Sequence, residues 1–269
     1  MNSYGLIGAG AVSRSFLFRL PDKARELGPI ASTSSRVASR IANSLRAGTA
    51  AKSAHELARV PVVLFCSNAV SAGKLVEILL AANLNWAGRS IVLCDTDISL
   101  APLRKQGAAV ASISEIGIPG RFAVQGDAEA VKAARTIVRK LAGRAIVLES
   151  DGIELFHAGL TMGTALVTPL LDRLAQVFRK AGVRDKTAME LASAIVEKTA
   201  KSFGHSGRQS WLWHLQEPDP AKLSAEEAAL RAKTGYADAF QMELIAALEA
   251  LGRHDAILNR LKNLKSIRT

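Results

Sequence analysis

In the first half of the chain, hydrophobic residues fall in short blocks separated by longer periodic stretches. Blocks at 4–7, 29–31, 60–66, 90–94, 108–111, 121–124 and 145–148 have the length and composition of strands. Val62, Val63, Leu64 and Phe65, like Ile91, Val92 and Leu93, run without alternation, as strands covered on both faces do. Between most of these blocks, apolar residues recur at helical spacing, which predicts helices over 12–27, 37–45, 71–82 and 127–141. Strands that alternate with helices predict an α/β domain built on a parallel sheet. After residue 150 the period is helical throughout, at 153–181, 186–203, 225–251 and 255–264, with Gly182 as the stop of the first helix. Only 204–220, rich in Gly, Ser, Trp and Pro, is irregular. Two domains are therefore expected: α/β over 1–150 and all-α over 151–269.

The first strand runs into Gly5-Leu6-Ile7-Gly8-Ala9-Gly10-Ala11-Val12-Ser13. Gly8 permits a tight strand-to-helix turn, Gly10 lets the backbone approach a pyrophosphate, and the small Ser13 lets the helix pack close to the strand. Backbone N–H groups from Ala9 to Val12 would then face the phosphates at the positive end of the helix. This context predicts dinucleotide binding by Gly8, Ala9, Gly10, Ala11 and Val12, on a Rossmann-type sheet. After the second strand, an NAD site carries an acidic residue for the ribose hydroxyl. Here the chain reads Ser32-Thr33-Ser34-Ser35-Arg36, with Arg40 one turn on. Hydroxyls and guanidinium groups suit a 2′-phosphate, so Ser34, Ser35, Arg36 and Arg40 predict NADP. The competing reading is a serine-capped helix with solvated arginines. Ser67 and Asn68 close one strand and Asp95, Thr96 and Asp97 the next. At carboxyl strand ends, Ser67, Asn68 and Thr96 are expected near the cofactor's ribose and nicotinamide. Asp95 and Asp97 also read as helix caps before Leu100. Cys66 and Cys94, at the same strand ends, read as buried fillers.

Composition adds limits. Of 269 residues, 49% are hydrophobic and 22% charged, which excludes a disordered chain. Aromatics at 5% leave the core to Ala, Leu, Ile and Val. The net charge of +11 invites a polyanion partner. Split along the chain, it becomes +6 over 1–60 and +4 over 252–269, with +1 between. The first block contains Arg36 and Arg40, which one phosphate explains. The basic tail carries no aromatic interleaving or recognition motif, so nucleic-acid binding is not expected. Two cysteines without ligand spacing predict neither a metal site nor a disulfide framework. The uncharged stretch 155–171 falls short of about 20 apolar residues, so no membrane span is expected, and a cytoplasmic protein follows.

On the first helix of the second domain, His157, Thr161, Thr164 and Thr168 share one face in an otherwise apolar stretch. The helix is expected to be mostly buried, with its polar stripe facing a wet cleft. His157 can act as a general acid, with Thr161 and Thr164 orienting substrate. Alternatively, the threonines bond back to helix carbonyls and His157 is a satisfied core residue. A second candidate is Gly204-His205-Ser206-Gly207-Arg208 with Trp211-Leu212-Trp213-His214, able to hold an anionic substrate or simply anchor a loop.

The chain resembles the 6-phosphogluconate-dehydrogenase-like NADP oxidoreductases. These have a Rossmann domain followed by a helical domain and include pyrroline-5-carboxylate reductase and the coenzyme-F420-dependent NADP reductases. The resemblance is strongest to a branch of Rossmann-like oxidoreductases. It spans most of 1–203 and rests on Gly-Leu-Ile-Gly-Ala-Gly at 5–10, Ser-Ser-Arg at 34–36, Phe-Ala-Val-Gln-Gly-Asp at 122–127 and Leu-Phe-His-Ala-Gly at 155–159. The chain departs from the pattern at Ala165, where an Asn is usual, and at Ser114-Glu115, where the branch carries His-Pro. The resemblance implies an NADP(H)-dependent oxidoreductase of a small carbonyl or imine, with the helical domain forming a homodimer. The departures keep open a nucleotide-binding regulatory protein without turnover.

Overall fold

A computed structural model of the protein describes residues 3–9, 16–94, 98–149, 152–207 and 220–250. Gly10, Ala11, Val12, Ser13, Asp95, Thr96, Asp97, Arg208, Trp211, Trp213, His214, the helix over 255–264 and the basic tail lie outside the described residues. Eight strands form one sheet: β1 Tyr4–Ala9, β2 Leu27–Ala31, β3 Thr49–Ala50, β4 Val62–Ser67, β5 Ser90–Cys94, β6 Ala109–Glu115, β7 Arg121–Gly126 and β8 Arg144–Val147. Their order is β3-β2-β1-β4-β5-β6-β7-β8. All neighbours are parallel except β6 and β7. The first six strands have the Rossmann order, which reverses between β1 and β4, the point at which sheets of this kind bind ligands. The α/β expectation holds.

Five helices accompany the sheet: α1 Lys23–Glu26, α2 Ser35–Leu45, α3 Ala69–Ala81, α4 Ala101–Lys105 and α5 Ala128–Lys140. Consecutive residues of the buried strands serve opposite faces. Leu6, Leu64 and Val92 pack with Ile41 and Leu45 of α2 and Ile137 and Val138 of α5. Ile7, Phe65 and Leu93 pack with Leu75 and Leu79 of α3, Trp86 and Leu103. Two apolar layers explain why these strands show no alternation.

Five helices follow: α6 Ile153–Thr164, α7 Val167–Lys180, α8 Asp185–Ser206, α9 Pro220–Lys233 and α10 Ala237–Ala250. The chain divides into compact units Met1–Leu160 and Thr161–Thr269, ten residues beyond the expected boundary, so the sheet unit takes in most of α6. Among the described residues, no helix is long and apolar enough to cross a membrane.

Several elements differ from the sequence pattern. In place of a helix over 12–27, the described part holds a 3-10 turn at Phe16–Arg19 and the four-residue α1, after which Leu27 enters β2. Pro21 disfavours helix at Leu20, and Asp22 is left-handed at φ +52°. The expected 153–181 helix breaks between Thr164 and Val167, because Pro169 lacks an N–H and its ring would clash with the carbonyl four residues back. The expected 225–251 helix is likewise two, α9 and α10. Gly204, His205 and Ser206 belong to α8, not to a loop, and His205 Nδ1 lies 2.8 Å from the Lys201 carbonyl. Gly182 follows α7 at φ +94°, as a helix stop should. Contrary to expectation, no residue of α6 is buried: Leu155 is 78% and Met162 64% exposed.

Candidate active site

In register, Ala9 of β1 lies beside Ser67 of β4, and Ile7 beside Ala31 of β2. The carboxyl ends of three strands thus make one rim at the point where strand order reverses. Ser32 Oγ donates to the Gly8 carbonyl at 2.5 Å, tying the end of β1 to the turn after β2. Ser34 caps α2, its side chain accepting the Val37 N–H at 3.3 Å. The capping reading is therefore realised for Ser34, whose hydroxyl proton that bond does not use. Ser35 and Arg36 open α2, and Arg40 follows one turn later. Both arginines are exposed and have no acidic partner among the described residues, and no carboxylate stands between Ala31 and Arg36. Two unpaired guanidinium groups with adjacent hydroxyls fit the chemistry of an adenosine 2′-phosphate.

Ser67 is buried and donates to the Asn68 carbonyl at 3.0 Å. Asn68 caps α3, its Oδ1 accepting the Ser71 N–H at 2.9 Å. Cys66 and Cys94 are buried free thiols, with Cys66 Sγ 3.7 Å from the Cys94 carbonyl and Cys94 Sγ 3.4 Å from that of Val92. They pack as fillers.

Within the same unit, a cleft of about 170 Å³ lies over β5, β6 and β7, lined by Leu93, Ser99, Arg104, Ser112, Ser114, Gln125 and His157 among others. Its polar floor follows from strand alternation. In β6, Ala111 and Ile113 face the core layer under α5, while Val110, Ser112 and Ser114 face the other way. Ser112 stands opposite Gln125 of β7, so their side chains share a face. The last residue of β7 and the one after it lock this floor. Gly126 has φ +140°, and a Cβ there would meet the Val110 carbonyl oxygen and, at 2.5 Å, Ala111 Cα. Asp127 accepts the Val110 N–H at 2.7 Å and the Arg104 Nε–H at 3.0 Å through one oxygen, and its own N–H donates to the Val110 carbonyl at 2.8 Å. Glu115, beyond the cleft floor, pairs with Arg19 at 2.6 Å.

Of the three residues expected to act on substrate, His157 is exposed and lines this cleft; Thr161 and Thr164 are exposed and are not among its lining residues. Thr168 lies on α7, where its hydroxyl bonds back to the Thr164 carbonyl at 3.2 Å, so the four-residue stripe is interrupted. The sequence reading named Ser114 only as a departure from the family pattern and Gln125 only within the 122–127 motif, and it did not name Arg104 or Ser112. The available signal was Ala-Ser-Ile-Ser in β6, serines alternating with core residues at a carboxyl strand end.

Residues 121–212 match a family described as a domain of unknown function (DUF2520). No curated protein sequence matches the chain. Among solved structures, the chain superposes on a Pseudomonas putida KT2440 protein provisionally described as an oxidoreductase, with TM-score 0.64 and 16% identity over 97% of this chain and 96% of the other. An imine reductase from Aspergillus terreus in complex with NADPH4 and a dibenzazepine gives 0.61 and 19%, covering 100% and 94%. A pyrroline-5-carboxylate reductase from Coxiella burnetii gives 0.57 and 15%, covering 98% of each chain. The chain thus has the fold of Rossmann-type oxidoreductases with a helical C-terminal region.

Proposed function

We propose that the protein is an NADPH-dependent reductase of a small carbonyl or imine compound. The observation that carries this reading is the pairing of two features on one Rossmann sheet: phosphate-suited Arg36 and Arg40 at the end of β2, and a polar cleft with His157 beyond β5. Gly8 and Ala9 with Gly10, Ala11 and Val12 would cradle the pyrophosphate, Ser34, Ser35, Arg36 and Arg40 the 2′-phosphate, and Ser67, Asn68 and Thr96 the ribose and nicotinamide. When bound, reduced nicotinamide supplies a hydride. His157 would deliver the proton that a reduced carbonyl or imine requires, while Ser112 and Ser114 hold the substrate over the cleft floor. Thr161 and Thr164 remain candidates for orienting substrate. The solved structures of similar fold that are reductases support the chemistry by analogy of fold.

The same reading includes a cytoplasmic setting and a homodimer formed by the helical region. Exposed apolar side chains on α6 (Leu155, Met162) and on α8 (Met189, Leu191, Ile195, Phe203) support the dimer, since apolar surface of this kind marks an interface.

The test is cofactor titration followed by NADPH oxidation. The wild type is expected to bind NADPH at least tenfold more tightly than NADH, and Arg36→Asp to remove that preference. His157→Ala is expected to keep NADPH affinity and lose at least tenfold in kcat. Equal binding of both cofactors before and after the Arg36 change overturns the cofactor assignment, and NADPH binding without turnover of any carbonyl or imine overturns the reductase.

A further inference from the structure

We propose that Ser32 is a positioning residue for the arginine end of the cofactor site. By tying the turn after β2 to the end of β1, it holds Arg36 in place relative to the start of the glycine-rich segment. The preference for NADPH over NADH then depends on a hydroxyl already committed to the protein's own backbone. This rests on the cofactor reading above, which gave Ser32 no role.

The strand register shows where the tie falls. β1 pairs with β2 as far as Ile7 beside Ala31, and with β4 two residues further, Gly8 beside Cys66 and Ala9 beside Ser67. One more backbone rung would set Ser32 beside Gly8, but β2 ends at Ala31. In its place the Ser32 side chain donates to the Gly8 carbonyl at 2.5 Å. The carbonyl keeps a partner, and the backbone is free to leave the sheet toward α2 from a point still fixed to β1.

The serines of this turn therefore have different tasks. Ser32 has given its only O–H to Gly8, so it has no proton to offer a phosphate. Ser34 accepts the Val37 N–H at the cap of α2 and keeps its proton. One turn into α2, Ala38 is buried, and its N–H donates to the Ser34 carbonyl at 3.0 Å. Ser35 and Arg36 thus stand between two fixed points, the Ser32 bond and the buried Ala38.

Arg36 is exposed and has no acidic partner among the described residues, so its place is set by the backbone that carries it. A loose turn would have to be ordered when the cofactor binds, and that cost falls on the ligand whose phosphate needs the arginine. NADH has no 2′-phosphate and asks nothing of Arg36, so its affinity does not register the tie. A neutral hydrogen bond shifts an equilibrium by about two- to tenfold, which is the scale on which the preference responds.

The experiment uses the full-length protein and reads dissociation constants for NADPH and NADH from nicotinamide fluorescence, so turnover is not required. Ser32→Ala is expected to weaken NADPH about fivefold and NADH less than about twofold. Thr and Val share one shape and differ in the hydroxyl. Ser32→Thr should therefore keep the wild-type preference, and Ser32→Val should lose it as Ser32→Ala does. In an Arg36→Ala background, Ser32→Ala should cost NADPH less than about twofold, because the tie acts through Arg36. Equal weakening of both cofactors, equal losses with and without Arg36, or Ser32→Thr no better than Ser32→Val overturns the proposal. A wild-type preference that survives in Ser32→Ala overturns the proposal alone. Wild-type protein that binds both cofactors equally overturns the NADP assignment, and the proposal with it.

Discussion

Gly126 illustrates how much of the cleft depends on single residues. Its φ of +140° is a region side chains rarely adopt, and its missing Cβ is the space that lets β7 approach Val110 and Ala111 of β6. Gly126→Ala is expected to lower the unfolding free energy by about 2–4 kcal/mol through combined strain and steric conflict. A denaturant midpoint indistinguishable from wild type would contradict this. At this scale the sequence offers the glycine-rich segment after β1 and the arginines after β2 as a cofactor expectation, because that reading rests on residue type and local spacing alone. Gln125 is not legible in this way: one glutamine in a strand says nothing until the opposite strand and the neighbouring helix show what surrounds its amide.

Elements are tied together by a few polar contacts between their ends. Lys140, in the last turn of α5, reaches Glu26 of α1 at 2.5 Å and lies 5.0 Å from the centre of the Tyr4 ring in β1. Burial alone would push the Lys140 ammonium down, but hydrogen bonds and charge attraction from Glu26 and Tyr4 hold it above its ordinary value. A raised folded-state value means that the contact's contribution is complete below the unfolded lysine value of about 10.5 and is lost as pH climbs through the folded one. Lys140→Met is therefore expected to destabilise the fold by about 1–2 kcal/mol at pH 7–9. The gap between variant and wild type should close above about pH 10.5 in urea unfolding. A gap that stays constant across the alkaline range would show that the ammonium's charge is not what matters. Elements with a strong apolar period, such as α2, α3 and α5, were readable to within two residues. The breaks at Pro169 and Thr234 were smoothed over, since apolar spacing continues across them while backbone hydrogen bonding does not.

At the scale of the whole molecule, the helical unit buries little. Among the described residues, Ala175, Ala188, Ala192, Ala237, Leu244 and Leu248 are the buried apolar side chains beyond Leu160. A homodimer would cover the exposed apolar residues of α8. Light scattering is expected to give the mass of two 28.5 kDa chains, and the double change Leu191→Glu with Ile195→Glu, one turn apart, to give one. A wild-type monomer removes the dimer from the proposed function. Residue order alone set the alternation of strands and helices, the glycine-rich sequence that follows β1 and the absence of an acid after β2, because each depends on neighbours within a few positions. Folding decided the rest. The cleft joins Arg104, Ser112, Gln125 and His157 across more than fifty residues of chain, and that meeting depends on the antiparallel pairing of β6 with β7 and on the placement of α6. No local period encodes either one. Whether a polar side chain is a solvated strand residue or the floor of a site is settled by what packs against it from far along the chain.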